Sequence, residues 1–130
     1  MSARLHAFLL ITVGAVLLSA VVFATAQATP SPRVVRITAE RFVFTPSEVS
    51  VAPGTTIEFH LTSDDTAHGF RIIGQSVDLA IPKRGRGEVT ASFTPPSEGT
   101  YIFECSRMCG AGHSFMRGVI RVRAAAGGPR

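Results

Sequence analysis

The regular alternation of short β-forming runs with chain breakers restricts the fold of this chain more than any other feature. Residues 34–37, 41–44, 48–51, 56–61, 70–73, 87–93, 100–105 and 118–123 are each brief and rich in β-branched or aromatic side chains. Thr45-Pro46, Pro53-Gly54, Gly74, Pro82, Pro95-Pro96 and Gly99 separate them. Proline withdraws a ladder donor, and glycine supplies turn conformations that other residues resist. In residues 56–61 the alternation is clean, with Ile57, Phe59 and Leu61 on one face and Glu58 and His60 on the other. Such a series of short strands predicts an all-β sandwich or small Greek-key barrel. No stretch after residue 30 has the length and period of a confident helix.

A chain of 130 residues has room for one such domain. Residues 1–29 stand apart from it. An uncharged apolar run from Ala7 to Ala26 follows Arg4, and about 20 apolar residues suffice to cross a bilayer as a helix. We read the segment as a membrane anchor, with a cleaved secretory leader as the alternative, because Ala24-Thr25-Ala26 and Ala26-Gln27-Ala28 offer small-residue cleavage patterns. In both readings Arg4 stays cytoplasmic and the domain is exported. It would then lie on the periplasmic side of the inner membrane, or free in the periplasm if the leader is removed. Thr29-Pro30-Ser31-Pro32 makes an extended spacer. The expected domain covers residues 30–126, followed by a flexible tail at 127–130.

The formal charge of +4 is not arranged for nucleic acid, since the basic residues are scattered and lack aromatic platforms. One local cluster, Lys83-Arg84-Gly85-Arg86, reads as a solvated loop tip, with docking of an acidic partner as the other possibility. There is no phosphate loop and no serine–histidine–carboxylate set beyond chance, and Asp64-Asp65 reads as turn chemistry. An independent catalyst is therefore not expected.

Residues 105–116 hold both cysteines, a histidine and one of the three methionines. Thiolate, imidazole and thioether are the soft donors that suit copper in electron-transfer sites. A structural disulfide is the competing reading in an exported domain. It would close too small a ring to constrain much of the unfolded chain, and it explains neither His113 nor Met116. Cys109, His113 and Met116 alone would suit a mononuclear blue-copper site, which needs one more histidine. Cys105 adds a second thiolate, and two thiolates can bridge two copper ions. His60 alternates outward with Glu58, whereas His68 stands in a polar turn at a strand end, where it can meet the other loop; His68 is the candidate ligand. Gly110 and Gly112 let the loop fold back on itself.

The pattern Cys-x3-Cys-x3-His-x2-Met, with Asp65-Thr66-Ala67-His68-Gly69-Phe70 upstream, resembles the copper A domain of cytochrome c oxidase subunit II. Phe42-x-Phe44-x-Pro46, the turn from Val51 to Gly54, Gly99-Thr100-Tyr101 and Gly118 extend the match over nearly the whole domain, which is most similar to the compact bacterial type with a single membrane helix. The resemblance implies a cupredoxin-like fold after one N-terminal hydrophobic helix. It also implies a dinuclear copper centre: Cys105 and Cys109 bridging both ions, His68 and His113 each binding one, and Met116 and the Arg107 backbone carbonyl as weak ligands. The implied partners are subunit I of a haem-copper oxidase and a c-type cytochrome or other periplasmic donor.

Three departures qualify it. Many relatives carry a magnesium-binding glutamate where Arg107 stands, so that magnesium site is not expected. The chain has no tryptophan, hence no tryptophan-containing segment for electron entry. Arg107, Arg117 and Arg71 would surround the copper pole with positive charge. A free-standing exported cupredoxin, acting as carrier or in copper delivery, remains the alternative function. A mononuclear copper site, or zinc on Cys105, Cys109, His113 and His68, remains the alternative centre; zinc leaves Met116 without a role.

Overall fold

The computed structural model describes residues 31–124. The apolar segment at 1–29 and the tail at 127–130 lie outside these residues. Among the described residues no helix is long and apolar enough to cross a membrane.

Nine strands run in order: β1 (Arg33–Glu40), β2 (Val43–Thr45), β3 (Glu48–Val51), β4 (Ile57–Ser63), β5 (His68–Ile72), β6 (Asp78–Ile81), β7 (Val89–Phe93), β8 (Gly99–Glu104) and β9 (Arg117–Val122). They form two packed sheets, β2-β1-β4-β7 and β3-β9-β8-β5-β6. The pairs β1–β4 and β3–β9 are parallel and every other pair is antiparallel. The architecture is the all-β sandwich that the strand and breaker pattern predicts.

Two local differences have physical causes. The run at 41–44 is shorter as a strand, because Arg41 and Phe42 form the turn between β1 and β2. The short strand β6 was not expected: it is an edge strand paired with β5 alone and buries only Ile81, so its sequence carries little apolar alternation.

Inward residues from both sheets fill the core. On β4, Ile57, Phe59, Leu61 and Ser63 are buried and alternate with half-exposed Glu58, His60 and Thr62. At the centre Phe70 packs against Phe44, Phe59 and Phe103, with ring centroids 5.8, 5.2 and 5.2 Å away. Each such pair adds about 0.5–1.5 kcal/mol beyond its buried area. Phe70 lies two residues after His68, and Phe103 two before Cys105, so this cluster forms a floor beneath both segments that carry candidate ligands.

Candidate metal centre

His68 opens β5, and Cys105 follows directly after the end of β8. From Cys105 the chain crosses one pole of the sandwich and returns to β9 at Arg117. The Cys105 N–H donates to the Met116 carbonyl at 3.0 Å, which ties the two ends of the loop together. Within the loop a 3-10 turn covers His113–Phe115 and turns the chain back toward the pole. The His113 N–H donates to the Gly110 carbonyl at 3.1 Å, and the Met116 N–H to that of His113 at 3.2 Å.

This path brings together His68, Cys105, Arg107, Cys109, His113 and Met116, the candidate ligands named from the sequence. The two cysteines are free, buried thiols with sulfurs 3.8 Å apart. His68 Nδ1 lies 4.0 Å from Cys105 Sγ, and His113 Nδ1 lies 3.8 Å from Cys109 Sγ. Met116 Sδ is 3.9 Å from Cys109 Sγ, while the Arg107 carbonyl oxygen is 3.0 Å from Cys105 Sγ. Ligand atoms of His68, Cys105 and Cys109 all lie within 4.8 Å of one another. The arrangement is two sulfurs side by side, each with one imidazole nitrogen, plus one thioether and one carbonyl. That donor chemistry fits copper in an electron-transfer site. His60 takes no part: its Nε2 pairs with Glu58 and its Nδ1 with Glu88, both at 2.6 Å, on the outer face of β4.

Three neighbours to which sequence reasoning gave no supporting role, Asp65, Arg41 and Phe42, set up this geometry. His68 Nε2–H donates to Asp65 Oδ1 at 2.7 Å, which leaves the lone pair of the neutral ring on Nδ1, the nitrogen facing Cys105. A carboxylate behind an imidazole fixes ring orientation and tautomer in this way at many metal sites. Asp65 also accepts the Arg41 backbone N–H at 3.0 Å, and the Arg41 guanidinium donates through Nε to the Cys109 carbonyl at 2.8 Å. Asp65 and Arg41 therefore link the two ligand segments. Partial burial pushes the Asp65 carboxyl up, but hydrogen bonds from His68 and the Arg41 and Thr66 backbone prevail and hold it at about 2. The signal for Asp65 was present as its spacing of three from His68, but that spacing is equally a turn motif.

Phe42 is the third neighbour. A Cβ on Gly112 would collide with its ring, and one on Gly110 would sit 2.9 Å from it. Gly110 also adopts φ of +140°, as expected for a tight return. Gly112 does not, so it is glycine for space and not for backbone conformation. The same holds for Gly69, where an added Cβ would meet Ser106 and come within 2.8 Å of the Arg107 nitrogen. The bare backbone lets the Gly69 N–H donate to Cys105 Sγ at 3.3 Å. Burial first, and then the hydrogen bond with Cys105, push the Cys109 thiol up to about 11. A bound cation would stabilise the thiolate against this cost.

The charge around the pole differs from the expected ring of three arginines. Arg71 and Arg117 both pair with buried Glu104, Arg117 Nε at 3.0 Å from Oε2, so one carboxylate sits between two guanidiniums. Arg107 is exposed and makes no ion pair among the described residues.

Residues 11–122 match the family model of the cupredoxin-like domain. Among curated proteins, cytochrome c oxidase subunit 2 of Thermus thermophilus is 34% identical over 101 residues, covering 77% of this chain and 73% of that protein. Among solved structures, the periplasmic domain of cytochrome oxidase subunit II from Bradyrhizobium japonicum superposes with a TM-score of 0.64 at 20% identity, over 74% of this chain and 88% of that one. A chain of a haem-copper terminal oxidase dimer superposes at 0.59 and 24% identity, over 72% of this chain and 66% of that one. The structural likenesses show the fold, and the sequence relative shows more: the chain belongs to the cytochrome c oxidase subunit II family and carries that family's cupredoxin-like domain.

Proposed function

We propose that the chain is the electron-entry subunit of a haem-copper terminal oxidase and holds a dinuclear copper centre. Fold and family imply copper and an electron-transfer role. The observation that supports two ions is the pair of sulfurs 3.8 Å apart, each flanked by its own imidazole nitrogen. Cys105 and Cys109 would bridge the ions, His68 and His113 would each bind one, and Met116 and the Arg107 carbonyl would make weak contacts. When bound, such a centre shares one unpaired electron over two metals and so changes its geometry little on reduction.

The protein's own residues perform three tasks. Asp65 orients His68 and fixes its tautomer, and Arg41 anchors the Cys109 carbonyl. Cys105, Cys109 and Met116 are buried against the core, which keeps water from the sulfurs. The aromatic floor holds β5 and β8 rigid, so that ligand positions are set by packing and not by the metal alone. By this reading electrons arrive from a c-type cytochrome or other periplasmic donor and leave for subunit I. The domain would sit on the outer side of the membrane, held by residues 1–29.

Copper content and the electron paramagnetic resonance spectrum of the copper-loaded chain test the proposal. Two coppers per chain, with hyperfine structure from two equivalent nuclei, are expected. One copper with single-nucleus splitting would overturn the dinuclear assignment and leave a blue-copper carrier.

A further inference from the structure

The basic loop at 83–86 takes no part in the metal site, yet the fold places it on the same pole. Ile81, the last residue of β6, pairs with His68, and Val89, the first of β7, pairs with Leu61 near the end of β4. The β6–β7 connection therefore passes beside the turn that carries Asp65. The Arg84 N–H donates to the Asp65 carbonyl at 3.1 Å and fastens it there. Lys83, Arg84 and Arg86 are exposed and form no ion pair among the described residues. Across the pole, the ligand loop adds exposed Arg107.

The same loop exposes two large apolar side chains, Met108 at 81% and Phe115 at 83%. They flank Cys109 and His113 in sequence, and nothing in the described fold covers them. Single exposed apolar residues are ordinary, but two on one short loop, both beside candidate ligands and on a pole with four unpaired cations, form a patterned surface. Apolar centres with charged rims are how docking faces combine contact with steering.

We infer that this pole is a docking face for a redox protein that presents an acidic rim around an apolar patch. Met108 and Phe115 make the central contact, and Lys83, Arg84, Arg86 and Arg107 select the partner's charge. The inference rests on the proposed electron-transfer reading for the nature of the partner, but its charge follows from the rim alone. A strongly basic cytochrome would meet like charge here.

The test uses one haem protein in two charge states: basic cytochrome c and its succinylated, acidic derivative, each titrated calorimetrically into the copper-loaded full chain. The acidic form should bind more tightly by on the order of tenfold at low salt, and should lose this advantage above about 0.1 M, where screening sets in. Combining Lys83→Glu, Arg84→Glu and Arg86→Glu should reverse the preference between the two forms. Phe115→Ser should weaken both by a factor that salt does not change.

A preference for basic cytochrome c, or a charge-reversed variant that binds the two forms as before, would overturn the inference. So would salt-sensitive binding to phosphatidylglycerol vesicles that the charge reversal abolishes while the cytochrome preference persists. The copper spectrum of each variant is recorded alongside. A chain that takes up no copper would refute the proposed function, whereas the titration still decides the docking face.

Discussion

At the scale of single residues, position matters more than identity. Asp65 is one of several acidic turn residues, but its two oxygens join the ring of His68 to the backbone of Arg41. Asp65→Ala should lower copper affinity by about 10–100-fold while the fold persists, as loss of such supporting carboxylates does elsewhere. Competition with a chelator measures this, and unchanged affinity would show that packing alone orients His68. Met116 is fully buried with its thioether 3.9 Å from Cys109 Sγ. Met116→Leu conserves volume, so under the proposed dinuclear reading it should retain both coppers and shift the reduction potential, as expected of a weak axial contact. Loss of one copper on quantitative analysis would instead make Met116 a principal ligand. Cys105, Cys109, His113 and Met116 could be singled out because soft donors are scarce and crowd into one segment, and His68 because it stands in a polar turn at a strand end; the Arg107 carbonyl came from the family resemblance alone. The roles of Arg41 and Phe42 were not legible, because each acts through partners far along the chain that only the folded topology identifies, and the role of Asp65 was masked because its spacing from His68 is equally a turn motif.

At the scale of elements, the site depends on how closely two backbones approach. The ligand loop passes over the start of β5 only because Gly69 has no side chain there. Gly69→Ala should push Ser106 and Arg107 outward and lengthen the bond from the residue 69 N–H to Cys105 Sγ. Its readout is the copper optical spectrum, which should move while far-ultraviolet circular dichroism stays that of an intact sandwich; an unmoved spectrum would mean the loop yields freely. Most strands could be read from sequence because proline and glycine bracket them, and because packing on one side imposes a two-residue period. That signal fades where a strand is short and at a sheet edge. The edge strand β6 buries Ile81 alone, so periodicity could not reveal it. Gly112 shows a second limit: glycine signals a turn or a close approach equally well, and only the ring of Phe42 above it decides which.

At the scale of the whole molecule, the metal-site pole is not the only charged region. On the outer face of the four-stranded sheet, the His60 ring lies between Glu58 and Glu88, and Arg36 reaches Glu88 at 3.1 Å. Hydrogen bonds donated to Glu58 first, and then to Glu88, raise His60 above its ordinary 6.5. A raised value in the folded state means that these pairs favour folding fully below 6.5 and are lost as pH climbs through the higher value. His60→Gln should therefore lower the urea midpoint near about pH 5 and leave it unchanged near about pH 9. An equal loss at both would assign the effect to packing.

The hydrogen bond between Cys105 and Met116 has a consequence for how such a protein can diversify. It closes a continuous stretch that contains four of the five side-chain donors, and only His68 comes from elsewhere. Most of the donor set thus travels as one segment, while the two sheets supply His68 and the contacts that orient it. Changing donors within this one segment would alter how many ions the site holds while leaving both sheets as they are.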